Sequence, residues 1–473
     1  MILMQYNGGK TMAVTSIDLV RDTTTQAINE ALNVQNVILA AIAGQTGGLR
    51  FDNFKDIQQL VRLGLHKLIF HVGDQLIAEK ETALTATVGH TGETGGITAA
   101  AVDADAFLAA LGTAHSGEYE FSFNGAEWHF NGAPVLLATY GITITGSPIA
   151  GDEVIVHETT AEIAFDIIGI DQDTPADSNF THSMTLMAHD VYITAAFDAK
   201  EALFAFDDGL EAGTYHFTID QQPWVAGDVG KTIQFTLTNA IPAGGQLVVN
   251  NGYNATMVGA TISAFASGTS TTAAETVTMS EGSDGTDLGS VANALTGTTT
   301  NSIQRALLGS NNWSQSAARQ YLNSNKAAGA YWTPKTKWDR PPGYVASTAG
   351  FLKGLDGDFV SVLGKVIKTT SQNTVTDGGG GIQSEELIFL PSRSEIYGSA
   401  EITGVNEGAI YDYYKNATDA DRIKYQGTAA RYWWLRTPYA SLADGVRIVT
   451  TSGALYNSLA DVAAGLAPAC CIV

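Results

Sequence analysis

Cysteine is nearly missing from this chain of 473 residues: there are two, Cys470 and Cys471, adjacent and close to its end. Neighbouring cysteines bridge each other poorly, because disulfide geometry strains the peptide between them. No disulfide framework is expected, as in a protein assembled in a reducing cytosol, and the pair reads as two small buried hydrophobes. Charge is scarce at 15% of residues, and positive charge scarcer still: 25 Lys and Arg stand against 48 Asp and Glu, a net charge of -23. That balance argues against nucleic acid as a partner, since phosphate binding needs a basic face. It reads instead as a soluble, repulsive exterior. Long apolar runs are missing too. No stretch approaches the roughly 20 apolar residues of a membrane span, so membrane insertion is not expected. The opening MILMQYNGGKTMAVTSIDLV is too weakly apolar for a secretory signal. A start at Met12 would leave the residues before it as an upstream extension.

What is present is glycine, 50 residues of it, beside 45% hydrophobic and 9% aromatic residues. This is globular material, long enough for two to four domains, and suited to many short strands and turns. Near the start, Ser16 and Gly44 bracket a helical pattern in which Ile17, Val20, Ala27, Ala31, Val34, Ile38 and Ala41 recur at three- and four-residue steps. Its narrow stripe resembles a short coiled-coil seam. NFKDIQQLVRLGLHKL predicts a second helix, with Phe54, Ile57, Leu60, Val61 and Leu65 on one side.

From Leu68 the period changes to that of strands. LIFHVGDQLIAEK predicts two strands around Gly73-Asp74, and EYEFSFNGAEWHFNG predicts hairpins at Asn124-Gly125 and Asn131-Gly132. YGITITGSPIAGDEVIVHE predicts another alternating pair, and AEIAFDIIGID a further strand. A short helix is expected from Asp103 to Leu111. A second β patch spans AGTYHFTIDQQPW, KTIQFTLTNAI and GGQLVVNNGY, then runs into a Ser/Thr/Gly-rich stretch. Ser314 or Asn311 is expected to cap a helix running through Leu322.

No reactive constellation emerges. The nine histidines are scattered, and His66 and His71 lack a metal-binding spacing such as H-E-x-x-H. Asp171, Asp173 and Asp177 form a loose calcium-type loop without the Gly and terminal Glu of an EF-hand, and read as a solvated acidic turn. TVTDGGGGIQ lacks the Lys-Ser/Thr pair of a phosphate loop, and no G-x-S-x-G elbow occurs. Neither enzyme activity nor a cofactor or metal is expected.

The second half carries a specific order of words: GSNNWSQSAARQYLNS, PSRSEIYG, RYWWLRTP, VRIVTTSGAL and GLAPACCI, from Gly309 to Ile472. Together they resemble the C-type-lectin fold in its formylglycine-generating-enzyme-like version. More closely, they resemble the variable proteins of diversity-generating retroelements carried by bacteriophages and prophages. The resemblance is strong over Asn301 to Val473. It implies an α+β fold: a C-type lectin-like C-terminal domain, β-rich insertions or modules, and an N-terminal helical oligomerisation or attachment region. The corresponding division is 1–68 helical, 69–300 β-rich with the first strands of the lectin-type fold, and 301–473 lectin-like with a variable C-terminal segment. Trp313, Trp433, Trp434 and Arg436 are the expected scaffold, the tryptophans as core and the guanidinium as a fork on a carboxylate or carbonyls. The formylglycine-generating relatives use separated catalytic cysteines, so the adjacent Cys470 and Cys471 do not carry that activity over.

In such systems, error-prone reverse transcription changes adenines, so that asparagine codons become many others, but never Lys, Glu, Gln, Met or Trp while the third base stays a pyrimidine. None of those five occurs from Tyr439 to Ala464. The resemblance therefore implies a ligand-binding, exchangeable surface at Tyr439, Leu442, Asp444, Ile448, Thr450, Ser452, Ala454, Tyr456, Leu459, Asp461 and Val462. Val446, Arg447, Gly453 and Leu455 read as constant strand and turn positions. The expected function is a phage virion adhesin, in a head or tail fibre, that binds a bacterial surface receptor (glycan or protein). It would contact other virion proteins through the N-terminal region, as a homo-oligomer, with a trimer favoured. It would be assembled in the host cytoplasm and located in the virion. The alternative is a structural capsid decoration protein without a dedicated receptor.

Overall fold

The computed structural model describes residues 3–5, 11–13, 53–92, 94–111, 118–220, 226–250, 256–266, 275–291 and 302–473. The helix expected between Ser16 and Gly44 lies outside them.

Among the described residues strands make up 40% and helices 15%, so the structure is strand-dominated, which overturns the expected α+β class with a helical N-terminal region. The physical cause is local. Helices start well but stop within one to three turns. Asn53 caps the first, Phe54–Arg62, by accepting from the Asp56 N–H, but the chain then turns at Gly64 with φ +68. The helix expected to reach Leu68 thus ends early, and Ile57, Leu60 and Val61 pack into the main core. The helix expected to run through Leu322 is present but shorter, Ala317–Leu322, and a separate helix, Ile303–Leu308, precedes it and ends at Gly309 with φ +86. Their caps are Ser302 and Ser316, not Ser314 or Asn311.

Two sheets enclose the main core. One has nine strands. At its centre Asp152–Ile170 and Met184–Ala188 run antiparallel, and Ala469–Ile472 follows against Met184–Ala188. Leu363–Gly364 and Ile388–Phe389 pair on the far side of that last strand. The stretch Ala469–Val473, with both free cysteines, is therefore fully buried. The second sheet has the order Ile193–Ala196, Ala463–Leu466, Trp433–Pro438, Gly445–Val449 and Leu455–Leu459. Trp313, Trp433, Trp434, Phe165, Phe197 and Leu186 fill the space between the sheets.

The long strand Asp152–Ile170 unites what the sequence reads as two strands. It pairs along most of its length with Gln75–His90. The ribbon is about 50 Å long at ~3.4 Å per residue. Its far end carries a small module in which Phe107, Tyr119, Phe121, Trp128, Val154 and Val156 form a separate core. The hairpins there follow the sequence: Asn131 (φ 50) and Gly132 (φ 77) both take the positive φ that a tight two-residue turn requires. Ile142–Gly146, however, pairs with Ile97–Val102 and not with the strand after it.

Residues 203–291 contribute a β-sandwich of two four-stranded sheets. Alternation in Gly213–Ile219 and Thr232–Leu237 points Phe217, Ile219, Ile233, Phe235 and Leu237 inward. Ile303, Ala306, Leu307 and Leu308 close this core, and Leu459 of the second sheet joins it.

Candidate functional site

The scaffold beneath the expected surface is built from buried side chains whose polar ends are all engaged. Trp433 Nε1 donates to the Arg422 carbonyl at 3.0 Å, Trp434 Nε1 to the Ala195 carbonyl at 2.9 Å, and Trp313 Nε1 to Glu386 at 3.2 Å. Arg436 is wholly buried. It takes the Glu395 carboxylate in a fork at 2.5 and 3.1 Å and donates also to the carbonyls of Leu390, Thr369 and Glu407. One guanidinium thereby ties together four segments.

Above it, the chain from Tyr439 to Val462 makes three turns joined by the hairpin Gly445–Val449 and Leu455–Leu459. Gly445 pairs with Leu459 at one end and Val449 with Leu455 at the other. Tyr439, Leu442, Asp444, Leu459, Asp461 and Val462 therefore gather at the first end, and Thr450, Ser452 and Ala454 at the second. Ile448 and Tyr456 face each other in between. The expected single patch is spread along the hairpin.

Exposure divides the candidates further. Tyr456 (62% exposed) and Val462 (43%) project into solvent, as does Ser452. Tyr439, Leu442, Thr450, Ala454 and Asp461 are half-buried. Asp444, Ile448 and Leu459 are buried, so these three belong to the packing and do not reach a ligand. Ile448 lies in the main core and Leu459 in the sandwich core. Asp444 is the unusual one: both its carboxylate oxygens are enclosed and neither has a hydrogen-bond partner. Burial, with Asp461 nearby, pushes it up to about 7, while burial raises Asp461 to about 6 against the pull of Lys200.

The backbone of this segment is held by groups that ignore its side chains. Asn311 Nδ2 donates to the carbonyls of Leu442 and Gly445 at 2.7 and 2.8 Å. Asn373 holds Asn311 in turn at 2.8 Å, and Asp377 anchors Asn373, Asn312 and Arg305. Thr374 N–H donates to the Ala440 carbonyl, Tyr397 OH to the Gly453 carbonyl at 2.6 Å, and Asp461 N–H to the Leu308 carbonyl. Gly453 has φ +83, and a Cβ there would lie 1.6 Å from the Asp419 carbonyl oxygen, so no other residue fits.

Beside the first turn, Arg447 lies 4.3 Å from the centre of the Tyr439 ring and forks onto Glu401 at 2.7 and 2.9 Å. Glu401 also takes Arg393 at 2.7 Å and the Ala440 N–H. Burial works to raise Glu401, but these bonds outweigh it and keep the carboxyl below the usual range. An open depression of about 390 Å³ adjoins this network, lined by Gly398, Ala400, Gly404, Val405, Asn406 and Ile410. From the sequence, Arg447 reads as a constant strand residue and Asn311 as one of two candidate helix caps. Glu401, Arg393 and Asn373 carry no local signal, and partners of Glu401 and Asn373 lie 46 and 62 residues away.

The expected acidic turn at 171–177 is also resolved. Asp171 pairs with His66 and His182, at 3.2 and 3.1 Å. Asp177 accepts from Asn179, and Asp173 turns inward to Lys368. The three carboxylates do not converge, and the turn is not simply solvated.

Residues 292–473 match a family described as a domain of unknown function, DUF6273. The match covers four of the second sheet's five strands, all but Ile193–Ala196, and less than half of the chain. No curated protein and no solved structure matches it.

Proposed function

We propose that this chain is a phage virion protein that binds a bacterial surface receptor, with the 439–462 segment as its exchangeable contact surface. The observation that carries this reading is the division of labour just described. Main-chain atoms of the segment are gripped by Asn311, Thr374 and Tyr397, while Tyr456, Val462, Ser452 and, in part, Tyr439 and Leu442 present side chains outward. Such a segment keeps its path when its outward residues are exchanged. That property suits the kinship its words suggest with the variable proteins of diversity-generating retroelements. Tyr439 and Tyr456 supply rigid amphipathic contact area at low entropic cost. Modest affinity per site would be raised by display as a trimer on the particle.

The test is the triple variant Tyr439→Ala/Tyr456→Ala/Val462→Ala in phage particles. Adsorption to host cells should fall at least tenfold while the melting temperature of the isolated protein stays within about 2 °C of the parent, as for surface substitutions. Unchanged adsorption would sink the proposal.

A structural decoration role is favoured by a different observation: Ile77, Leu136 and Ile149 stand exposed on the long ribbon and its module, where an apolar contact with another virion protein would cover them. Polar substitutions at these three positions should impair incorporation into particles if that role holds, and leave adsorption per incorporated copy unchanged.

A further inference from the structure

Lys368 sits in strand Val366–Ser371 with its side chain 2% exposed. Its three hydrogens point to three oxygens: Asp173 Oδ1, Glu395 Oε1 at 2.9 Å and Tyr411 OH at 2.7 Å. Phe389 covers it, with the ring centre 4.1 Å from Nζ. Asp173 is 8% exposed, and its second oxygen accepts from Thr185 at 2.6 Å and from Tyr411 OH at 2.8 Å. The strand holding Lys368 and the segment holding Asp173 are already in register, through Ile367 N–H to the Thr174 carbonyl at 2.9 Å and a bridge between Pro175 and Val366. An amine, a carboxyl and a second carboxylate thus meet inside an aromatic enclosure.

We propose that Lys368 and Asp173 join in an intramolecular amide, a side-chain cross-link between these two segments. The Nζ–Cγ bond forms and the Cγ–Oδ2 bond breaks. Two protons from the ammonium leave with Oδ2 as one water, and no oxidant or other reactant is needed. Tyr411 lies on the proton path, since its hydroxyl accepts from Nζ and donates to Oδ2. Glu395 takes the first proton from Nζ and returns it to the departing oxygen.

Charge sets the starting state of this pair. Burial opposes the charged form of each partner, yet their mutual attraction outweighs it, holding Asp173 below the usual carboxylate range and Lys368 above its own. The core therefore begins with four charges, on Asp173, Lys368, Glu395 and Arg436. Amide formation removes two and leaves the forked Glu395–Arg436 pair intact. Fewer buried ions means a smaller desolvation cost, set against the loss of the pair's mutual attraction. The enclosure that excludes water from the reactants also shields the amide from hydrolysis. The linked residues are 195 apart and enclose the whole sandwich, so the cross-link would keep that module attached when the surrounding sheet opens.

The experiment is the intact mass of the full chain in denaturant, followed by fragmentation of its proteolytic peptides. The expected mass is about 18 Da below that of the sequence, one water lost, with a branched peptide joining Lys368 to Asp173. Lys368→Arg should return to the full mass of its own sequence, and Tyr411→Phe should accumulate the linked form more slowly. A wild-type mass equal to that of the sequence overturns the proposal and leaves a buried ion pair only. So does water loss that maps elsewhere, such as dehydration at an Asp-Gly pair. Both readings come from the unfolded chain, so a variant that folds poorly still reports.

Discussion

Asn311 donates its side-chain amide to the Leu442 carbonyl at 2.7 Å across 131 residues of sequence. The same nitrogen reaches the Gly445 carbonyl, so one buried side chain sets the path of the turn between them. The main chain of this turn is thus held by the scaffold independently of the side chains, such as Tyr456 and Val462, that the 439–462 segment turns to solvent.

Asn311→Ala should therefore destabilise by about 1–3 kcal/mol, because it leaves buried carbonyls without donors. Asn311→Asp should cost at least as much, placing an acceptor against acceptors. Chemical denaturation of both variants checks this, with the midpoint falling and the slope unchanged.

Asp444 gives the chain an acid-side preference. Its folded pKa of about 7 and that of Asp461, about 6, both lie above the ordinary carboxylate value near 4. The neutral forms are the ones the fold accommodates. Their contribution is complete below about pH 4 and is lost as pH rises through 6 to 7. Asp444→Asn should lose that dependence, so its stability relative to wild type should climb from pH 5 to pH 8, by at most about 1.4 kcal/mol per pH unit. Thermal melts across that range read it directly. A constant difference would mean that Asp444 is ionised throughout.

Gly453→Ala should unseat the turn from Thr450 to Ala454. The left-handed backbone costs about 1–2 kcal/mol for a residue with a Cβ, and the methyl would meet the Asp419 carbonyl oxygen. A lowered melting temperature is expected, together with loss of the Tyr397 hydrogen bond, read as a change in near-ultraviolet dichroism.

Trp434→Ala removes a fully buried ring whose Nε1 is bonded to Ala195. Core truncations of this size cost about 3–5 kcal/mol. The variant should be poorly soluble or melt far below wild type. A well-folded Trp434→Ala protein with normal melting would contradict its place in the scaffold.

Much of the local structure was legible in the residues themselves. The Asn131-Gly132 pair specifies a tight turn because few other residues take its left-handed dihedrals, while Asn124 specifies a longer loop by accepting from the N–H groups of Ala126 and Glu127. Alternation marks Gly213–Ile219 and Thr232–Leu237 because a strand's period is two. The tryptophans at 433 and 434 announce a core because no other environment repays so large an apolar surface. Two adjacent cysteines announce that nothing is bridged.

Tertiary structure alone decided the rest. Which strand pairs with which depends on contacts far apart in the chain, so Ile142–Gly146 met a partner that no local pattern names. Asp444 and Tyr456 are equally reachable by codon change, yet one is enclosed and the other open, because burial depends on neighbours from other elements. Asp173 looked like part of a solvated turn until Lys368, 195 residues on, supplied its counter-charge. Period and composition belong to a single segment, and these reveal strands, turns and core. Pairing, burial and charge compensation belong to two segments at once, and they exist only after the chain has folded.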